Sequence, residues 1–168
     1  MQRNHYNTNF NKETFPVVLI CDNIINAPNI GSLFRTADAF GVEKLIFCGE
    51  SIEFSRKVTK TSRATEKAVN FLLNQDIYQV VDNYKNKGYQ ILAIEITTNS
   101  KRIHHFKFPN NKPLAVIVGS ENFGLSEDVL SLCDDSLHIE MYGQNSSMNV
   151  VQATSIALYE ITKQIKGQ

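Results

Sequence analysis

Two kinds of apolar pattern alternate along this chain. Continuous apolar runs occur at Val17 to Cys21 and Leu114 to Val118, and Lys44 to Cys48, Tyr89 to Ile96 and, more briefly, Leu137 to Met141 also read as strands. Runs without polar alternation suit strands buried on both faces. Between them, apolar residues recur at helical spacing. Leu33, Phe34, Ala37 and Phe40 share one face, and Gly41 supplies a C-cap. Ile77, Val80, Val81 and Tyr84 do the same from Asp76 to Lys87, and Gly88 ends that pattern. Ser126 stands where it would cap a short helix through Leu132. A last helix is expected from about Ser147 to Lys166, with Val150, Ala153, Ile156, Ala157 and Ile161 spaced for burial in a core or an interface. Strands alternating with helices predict an α/β fold, a mostly parallel sheet with helices on both faces.

Punctuation residues refine this outline. Residues 1–15 read as a flexible arm, because four asparagines in the first eleven residues favour turns. Residues 16–168 then form a single domain, with no internal repeat, heptad or linker. Asn26 to Asn29 reads as loop, since Pro28 disfavours a helical Ala27. Residues 50–67 are polar and ambiguous, and Lys101 to Lys112 looks irregular.

Composition changes the picture chiefly by what it excludes. The formal net charge of the 168 residues is zero, so contact with a polyanion must come from local clustering. Arg56, Lys57, Lys60 and Arg63 fall in eight residues without an acid, and Lys67 extends the group. Thr59, Thr61 and Ser62 interleave hydroxyls suited to phosphate. A solvated face is the plainer account of such a run. A second basic stretch holds Lys101, Arg102, His104, His105 and Lys107, with Phe106 and Phe108 available for base stacking. No apolar run approaches the roughly 20 residues of a membrane span, and the start lacks the apolar core of a signal peptide. The three cysteines, Cys21, Cys48 and Cys133, are far apart and read as buried free thiols in a reducing cytoplasm. No CxxC pair exists, and the adjacent His104 and His105 would point apart in an extended segment, so no metal site is expected.

Three polar blocks sit where strands give way to helices, the usual position of ligand crevices in parallel sheets. Gly119-Ser120-Glu121-Asn122-Phe123-Gly124-Leu125-Ser126 nearly matches a phosphate loop, but Leu125 stands where the motif lysine belongs. A glycine-permitted turn explains the glycines and leaves Glu121 unexplained. Arg35, in Asn29-Ile30-Gly31-Ser32-Leu33-Phe34-Arg35-Thr36-Ala37, is either a solvated helical residue or a two-pronged grip on a phosphate. Ser146-Ser147-Met148-Asn149-Val150 contains ordinary capping residues.

Taken together and in this order, the three blocks resemble the SpoU (TrmH-like) branch of the SPOUT RNA methyltransferases, over approximately residues 16–162. The resemblance implies transfer of a methyl group from S-adenosylmethionine to a ribose 2′-hydroxyl of tRNA or rRNA, without a metal. It also implies a SPOUT-type domain with a C-terminal trefoil knot, working as a homodimer through the knot region. By position, Arg35 corresponds to the catalytic arginine and Asn29 to its support. Glu121 corresponds to the acid of the second motif, and Ser147 and Asn149 to the polar pair of the third. The donor would be held mostly by backbone groups near Ile94 and Glu95, at Val118, Gly119 and Ser120, at Ile139 to Met141, and at Ser147 to Asn149. Ile139 and Met148 would form apolar walls. Arg56, Lys57, Lys60 and Arg63 would meet RNA. Because a guanidinium keeps its proton at neutral pH, Arg35 is expected to hold a substrate phosphate and the 2′-oxygen in line with the methyl. The chain is short for this family. The alternatives are a knotted RNA-binding protein without catalysis and a flavodoxin-like enzyme, for which Pro28, lacking an N–H, makes a poor phosphate cradle.

Overall fold

The computed structural model describes residues 11–49 and 52–167. Its strands are β1 (Phe15–Asp22), β2 (Val42–Cys48), β3 (Phe71–Gln75), β4 (Gln90–Ile94), β5 (Lys101–Arg102), β6 (Leu114–Val118) and β7 (Asp135–His138). They form one sheet in the order β3-β2-β1-β6-β4-β7-β5, with every adjacent pair parallel. The helices are α1 (Ala27–Ala39), α2 (Arg56–Ser62), α3 (Ile77–Asn86), α4 (Glu127–Ser131) and α5 (Val150–Lys166). Single 3₁₀ turns cover Thr65–Lys67 and Ile103–His105. The expected α/β architecture is the one that forms.

β1 shows why its sequence carries no alternation. Val17, Leu19 and Cys21 enter a core shared with Leu33, Phe34, Ala157 and Leu158 from α1 and α5. Val18 and Ile20 enter a second core with Ile77, Val81 and Tyr84 of α3 and Val129 of α4. Both faces of the strand are therefore dry. α5 is amphipathic: Val150, Thr154, Ala157, Leu158 and Ile161 are buried, whereas Ile156, expected inward, stands 41% exposed.

Several boundaries differ from expectation for identifiable reasons. Asn26 to Asn29 is not loop, because α1 begins at Ala27 with Pro28 in its first turn. An N–H is unsatisfied there anyway, so proline is tolerated, and the Asn26 side chain caps the helix by accepting from the Asn29 N–H at 3.2 Å. The predicted arm runs one residue too far, since Phe15 already opens β1; residues 1–10 lie outside the described residues. The ambiguous stretch contains α2 and a 3₁₀ turn, and β3 went unpredicted. The last strand stops at His138, leaving Ile139 to Met141 irregular, and α5 starts at Val150 with Asn149 as its cap. Two consecutive non-glycine residues, Arg63 (φ 52°) and Ala64 (φ 67°), take left-handed backbone at the end of α2.

Asp22, almost buried at the end of β1, accepts from Asn23 Nδ2 at 3.1 Å. Burial raises its pKa, against which the Asn23 bond acts. A raised folded-state pKa means that ionising Asp22 costs more in the folded than in the unfolded chain. The cost is absent below the ordinary aspartate value and present once pH exceeds the folded-state value. Asp22→Asn should therefore raise the melting midpoint near neutral pH, and the gain should vanish below about pH 4, where aspartate is protonated in the unfolded chain too. A gain of equal size at both pH values would place its cause elsewhere than in ionisation.

Candidate active site

The carboxyl ends of β4, β6 and β7, neighbours across the sheet, open on a cavity of about 460 Å³. That lies within the roughly 300–1,000 Å³ typical of small-molecule sites. Ile94, Glu95, Val118, Gly119, Ile139, Met141 and Met148 all line it. So do Glu121 and Ser147. Ile96, Phe123 and His138 are also in its wall, and no sequence signal singled them out. His138 has an internal partner, Ser100 Oγ, at 2.9 Å from Nδ1.

The loop after β6 forms one side of this cavity by folding tightly on itself. The Gly124 N–H donates to the Ser120 carbonyl at 2.9 Å, and the Phe123 N–H to Ser120 Oγ at 3.3 Å. A Cβ on Gly119 would lie 2.6 Å from the Gly124 oxygen and 2.7 Å from the Leu125 nitrogen, so only glycine fits. Gly124 itself has φ of 62°. Glu95 fastens the loop from β4: one carboxylate oxygen accepts from the Leu125 N–H at 3.1 Å, and the other from the Ile96 N–H at 3.0 Å. Glu95 thus shapes the wall through its side chain. Glu121 is exposed on the rim, with no ion pair among the described residues.

Polar caps join the first and third blocks. Asn149 Oδ1 caps α5 by accepting from the Val151 N–H at 2.9 Å. Its Nδ2 donates to Asn29 Oδ1 at 3.2 Å. Farther along the same two helices, Thr36 and Ser155 hydroxyls meet at 3.3 Å. Asn29 is therefore engaged with Asn149, beside Met148 in the cavity wall, rather than with Arg35.

Arg35 faces a different depression. Gly31 lets α2 lie directly on α1: a Cβ there would be 2.6 Å from the Val58 carbonyl oxygen and 2.7 Å from Thr61 Cβ. The close approach gathers Arg35, Lys57, Lys60 and Arg63, with Pro28 and Thr61, around a cleft of about 380 Å³. None of these four cations makes an ion pair among the described residues. Arg56 is exposed at the start of α2 and lies outside the cleft lining.

The second basic stretch fares differently. Lys101 pairs with Asp135, Arg102 Nε with Glu140 at 2.9 Å, and His104 Nε2 approaches Glu140 at 3.5 Å. Phe108, expected to be free for stacking, is 2% exposed and packs on Phe106 with ring centroids 5.1 Å apart. His104 and His105 do not point apart, because the 3₁₀ turn brings their rings to 4.2 Å. No cluster able to hold a metal occurs among the described residues.

Known proteins share this sequence pattern and fold. The sequence model of the SpoU rRNA methylase family matches residues 16–159. A Staphylococcus haemolyticus protein, provisionally named a TrmH family tRNA/rRNA methyltransferase, is 30% identical over 151 residues, covering 89% of this chain and 59% of that protein. This chain thus spans about three-fifths of that relative's length. An Aquifex aeolicus tRNA (guanosine(18)-2′-O)-methyltransferase is 30% identical over 151 residues, covering 88% of this chain and 69% of that protein. The crystal structure of the SpoU methyltransferase AviRb from Streptomyces viridochromogenes, in complex with AdoMet, superimposes with a TM-score of 0.82 at 26% identity, covering 93% of this chain and 62% of that one.

Substitutions at two positions probe the local geometry. Gly31→Ala should destabilise the fold by about 1–3 kcal/mol in denaturant titration, since backbone must shift to admit the methyl; an unchanged midpoint would refute the close approach. Asn149→Ala should cost about 0.5–2 kcal/mol through loss of the α5 cap. Asn149→Asp, which still caps but cannot donate to Asn29, should recover most of that loss. Equal losses in both variants would assign the stability to the Asn29 bond instead.

Proposed function

The chain belongs to the SpoU rRNA methylase family, and from that premise we propose that it transfers a methyl group from S-adenosylmethionine to a ribose 2′-hydroxyl of tRNA or rRNA. One observation carries the reading: of the residues expected to surround the donor, all but Glu140 and Asn149 line a single cavity, with Glu121 and Ser147 at its edge. The residues suit that donor. Ile94, Val118, Ile139 and Met148 offer apolar surface, and the irregular backbone at Gly119 to Glu121 and Ile139 to Met141 offers N–H and C=O groups to an adenine edge. S-adenosylmethionine supplies an electrophilic methyl on a sulfonium, so no metal is needed. The ribose oxygen would take that methyl as the carbon–sulfur bond breaks, the bonding pair leaving on sulfur as a neutral thioether and the hydroxyl proton passing to solvent water.

Arg35 orients that oxygen by gripping a neighbouring phosphate. Alignment alone is worth up to about 7–11 kcal/mol in favourable intramolecular cases. Since Arg35 lines its own cleft and not the donor cavity of the same protomer, the active arrangement joins the cavity of one copy to the Arg35 of a second. A homodimer is supported by the surface of α5, where Met148, Val151, Ser155 and Ile156 line a shallow groove and Tyr159 is exposed. The C-terminal trefoil knot belongs to the same reading, supported by α5 returning to pack in the central core against α1 and β1.

RNA enters along the cleft of unpaired cations. The name of the Aquifex relative favours tRNA over rRNA as the acceptor. No helix among the described residues is long and apolar enough to cross a membrane, and a cytoplasmic enzyme acting on RNA is the consistent assignment.

The direct experiment is incubation of the protein with labelled donor and bulk tRNA or rRNA, followed by mass spectrometry of the nucleosides. A 2′-O-methylated ribose supports the proposal; label on a base, or none, removes it. Arg35→Ala should cut transfer by about 10²- to 10³-fold, the cost of one oriented charge-stabilising donor, while donor affinity stays within about two-fold. Unchanged turnover would take Arg35 out of the reaction. Lys57→Glu with Lys60→Glu should weaken RNA binding and flatten log K against log[salt] by roughly 0.7–0.9 for each phosphate no longer neutralised. An unaltered slope would put the RNA elsewhere.

A further inference from the structure

Two aromatic side chains stand almost wholly in water beside the donor cavity. Phe123 and Tyr142 are each 90% exposed. Phe123 projects from the loop after β6, and Tyr142 from the loop after β7. Those strands flank β4, so the loops rise on opposite sides of the cavity floor. Phe123 lines the cavity itself, and Met141, the neighbour of Tyr142, lines the other wall. A lone exposed aromatic needs no explanation. Two of them on either side of one cavity, both on braced loops, do.

The bracing is specific. Phe123 sits at the tip of the turn closed by the Gly124-to-Ser120 bond and fastened by Glu95. The Tyr142 hydroxyl donates to Glu140 at 3.4 Å. Glu140 is in turn held by Arg102 and His104. The turn fixes where Phe123 leaves the backbone, and the bond to Glu140 holds the Tyr142 ring. Displaying an aromatic ring at a fixed place, with its faces bare, suits stacking on a planar partner.

The partner is identified by charge and continuity. The cleft gathers Arg35, Lys57, Lys60 and Arg63, none of them in an ion pair among the described residues. In the two-copy arrangement proposed above, the cleft of one copy adjoins the cavity of the other, so a polyanion lying in the cleft reaches the cavity mouth. We infer that Phe123 and Tyr142 form a stacking clamp that seats the RNA bases flanking the target ribose, a specificity role that rests on the methyl-transfer reading above. Stacking tolerates any base, because every base has a π face. Such a clamp fixes the position of the ribose without dictating a sequence.

The test compares binding of a short oligoadenylate with binding of an abasic ribose-phosphate chain of the same length and charge. The native protein should prefer the oligoadenylate by roughly 5- to 150-fold per stacked base. Phe123→Leu and Tyr142→Leu, which keep apolar bulk and lose the π face, should each reduce that preference, and the double variant should abolish it. The sedimentation coefficient of both variants and the donor affinity of Tyr142→Leu, whose side chain lies outside the cavity lining, should not change, and methyl transfer to RNA should show a raised KM with kcat little altered. Equal binding of both chains by the native protein overturns the clamp. So does a change of oligomeric state in either variant, which would make these rings a contact between copies. If the native protein methylates RNA yet shows no preference, the clamp alone fails; if it methylates no RNA, the underlying reading fails first.

Discussion

A backbone-on-backbone contact makes the cavity possible. Gly119 and Gly124 approach so closely that no Cβ fits at Gly119, and the turn between them is fastened by the Glu95 carboxylate across to the Leu125 N–H. With side chains there, the loop after β6 would splay. The wall from Val118 to Glu121 would then lose its distance from the walls built by β4 and β7. The parallel order β6-β4-β7 fixes the three strand ends side by side, and the loop's tightness leaves room among them. The glycine spacing that resembles a phosphate loop therefore has a different physical purpose. It removes bulk, and no lysine is needed.

The second organising contact is weaker but links two regions. Asn149 uses one side-chain atom to cap α5 and the other to reach Asn29 near the start of α1. One neutral hydrogen bond is worth about 1 kcal/mol, so this pair aligns elements that packing already stabilises. α1 in turn carries Gly31, against which α2 lies, and α2 carries Lys57 and Lys60. A sequence of short contacts thus runs from cavity to Asn149, Asn29, α1, α2 and the basic cleft. In the proposed reading these regions share one purpose, with the donor in one and the acceptor backbone in the other.

Much of this was readable in the sequence where a single physical cause dominates. β1 and β6 are continuous apolar runs because both faces are buried, and α3 shows the helical period because only one face is. β3 was missed because it lies at the sheet edge and its residues alternate between half-buried and exposed, with Leu72 open to solvent. Pro28 misled because the cap that excuses it, Asn26, is visible only once the helix start is known. The two basic stretches look alike in one dimension. They differ because Asp135 and Glu140, far along the chain, arrive on β7 and just beyond it to neutralise one of them. Phe108 seemed a stacking residue beside cations, whereas its N–H is bonded to Gln164 at 3.2 Å and its ring is in the core. Phe123 and His138 carry no local signal, since their importance comes from which loop ends meet.

In the proposed reading, backbone at three strand ends encloses the methyl donor. Amide hydrogen exchange, read with and without S-adenosylhomocysteine as the non-reactive stand-in, tests that enclosure. Slowed exchange at Ser120, Met141 and Ser147 to Asn149, with α3 unaffected, is the predicted result. Uniform exchange at those amides, or slowing confined to the cleft around Arg35 and Lys60, would contradict it.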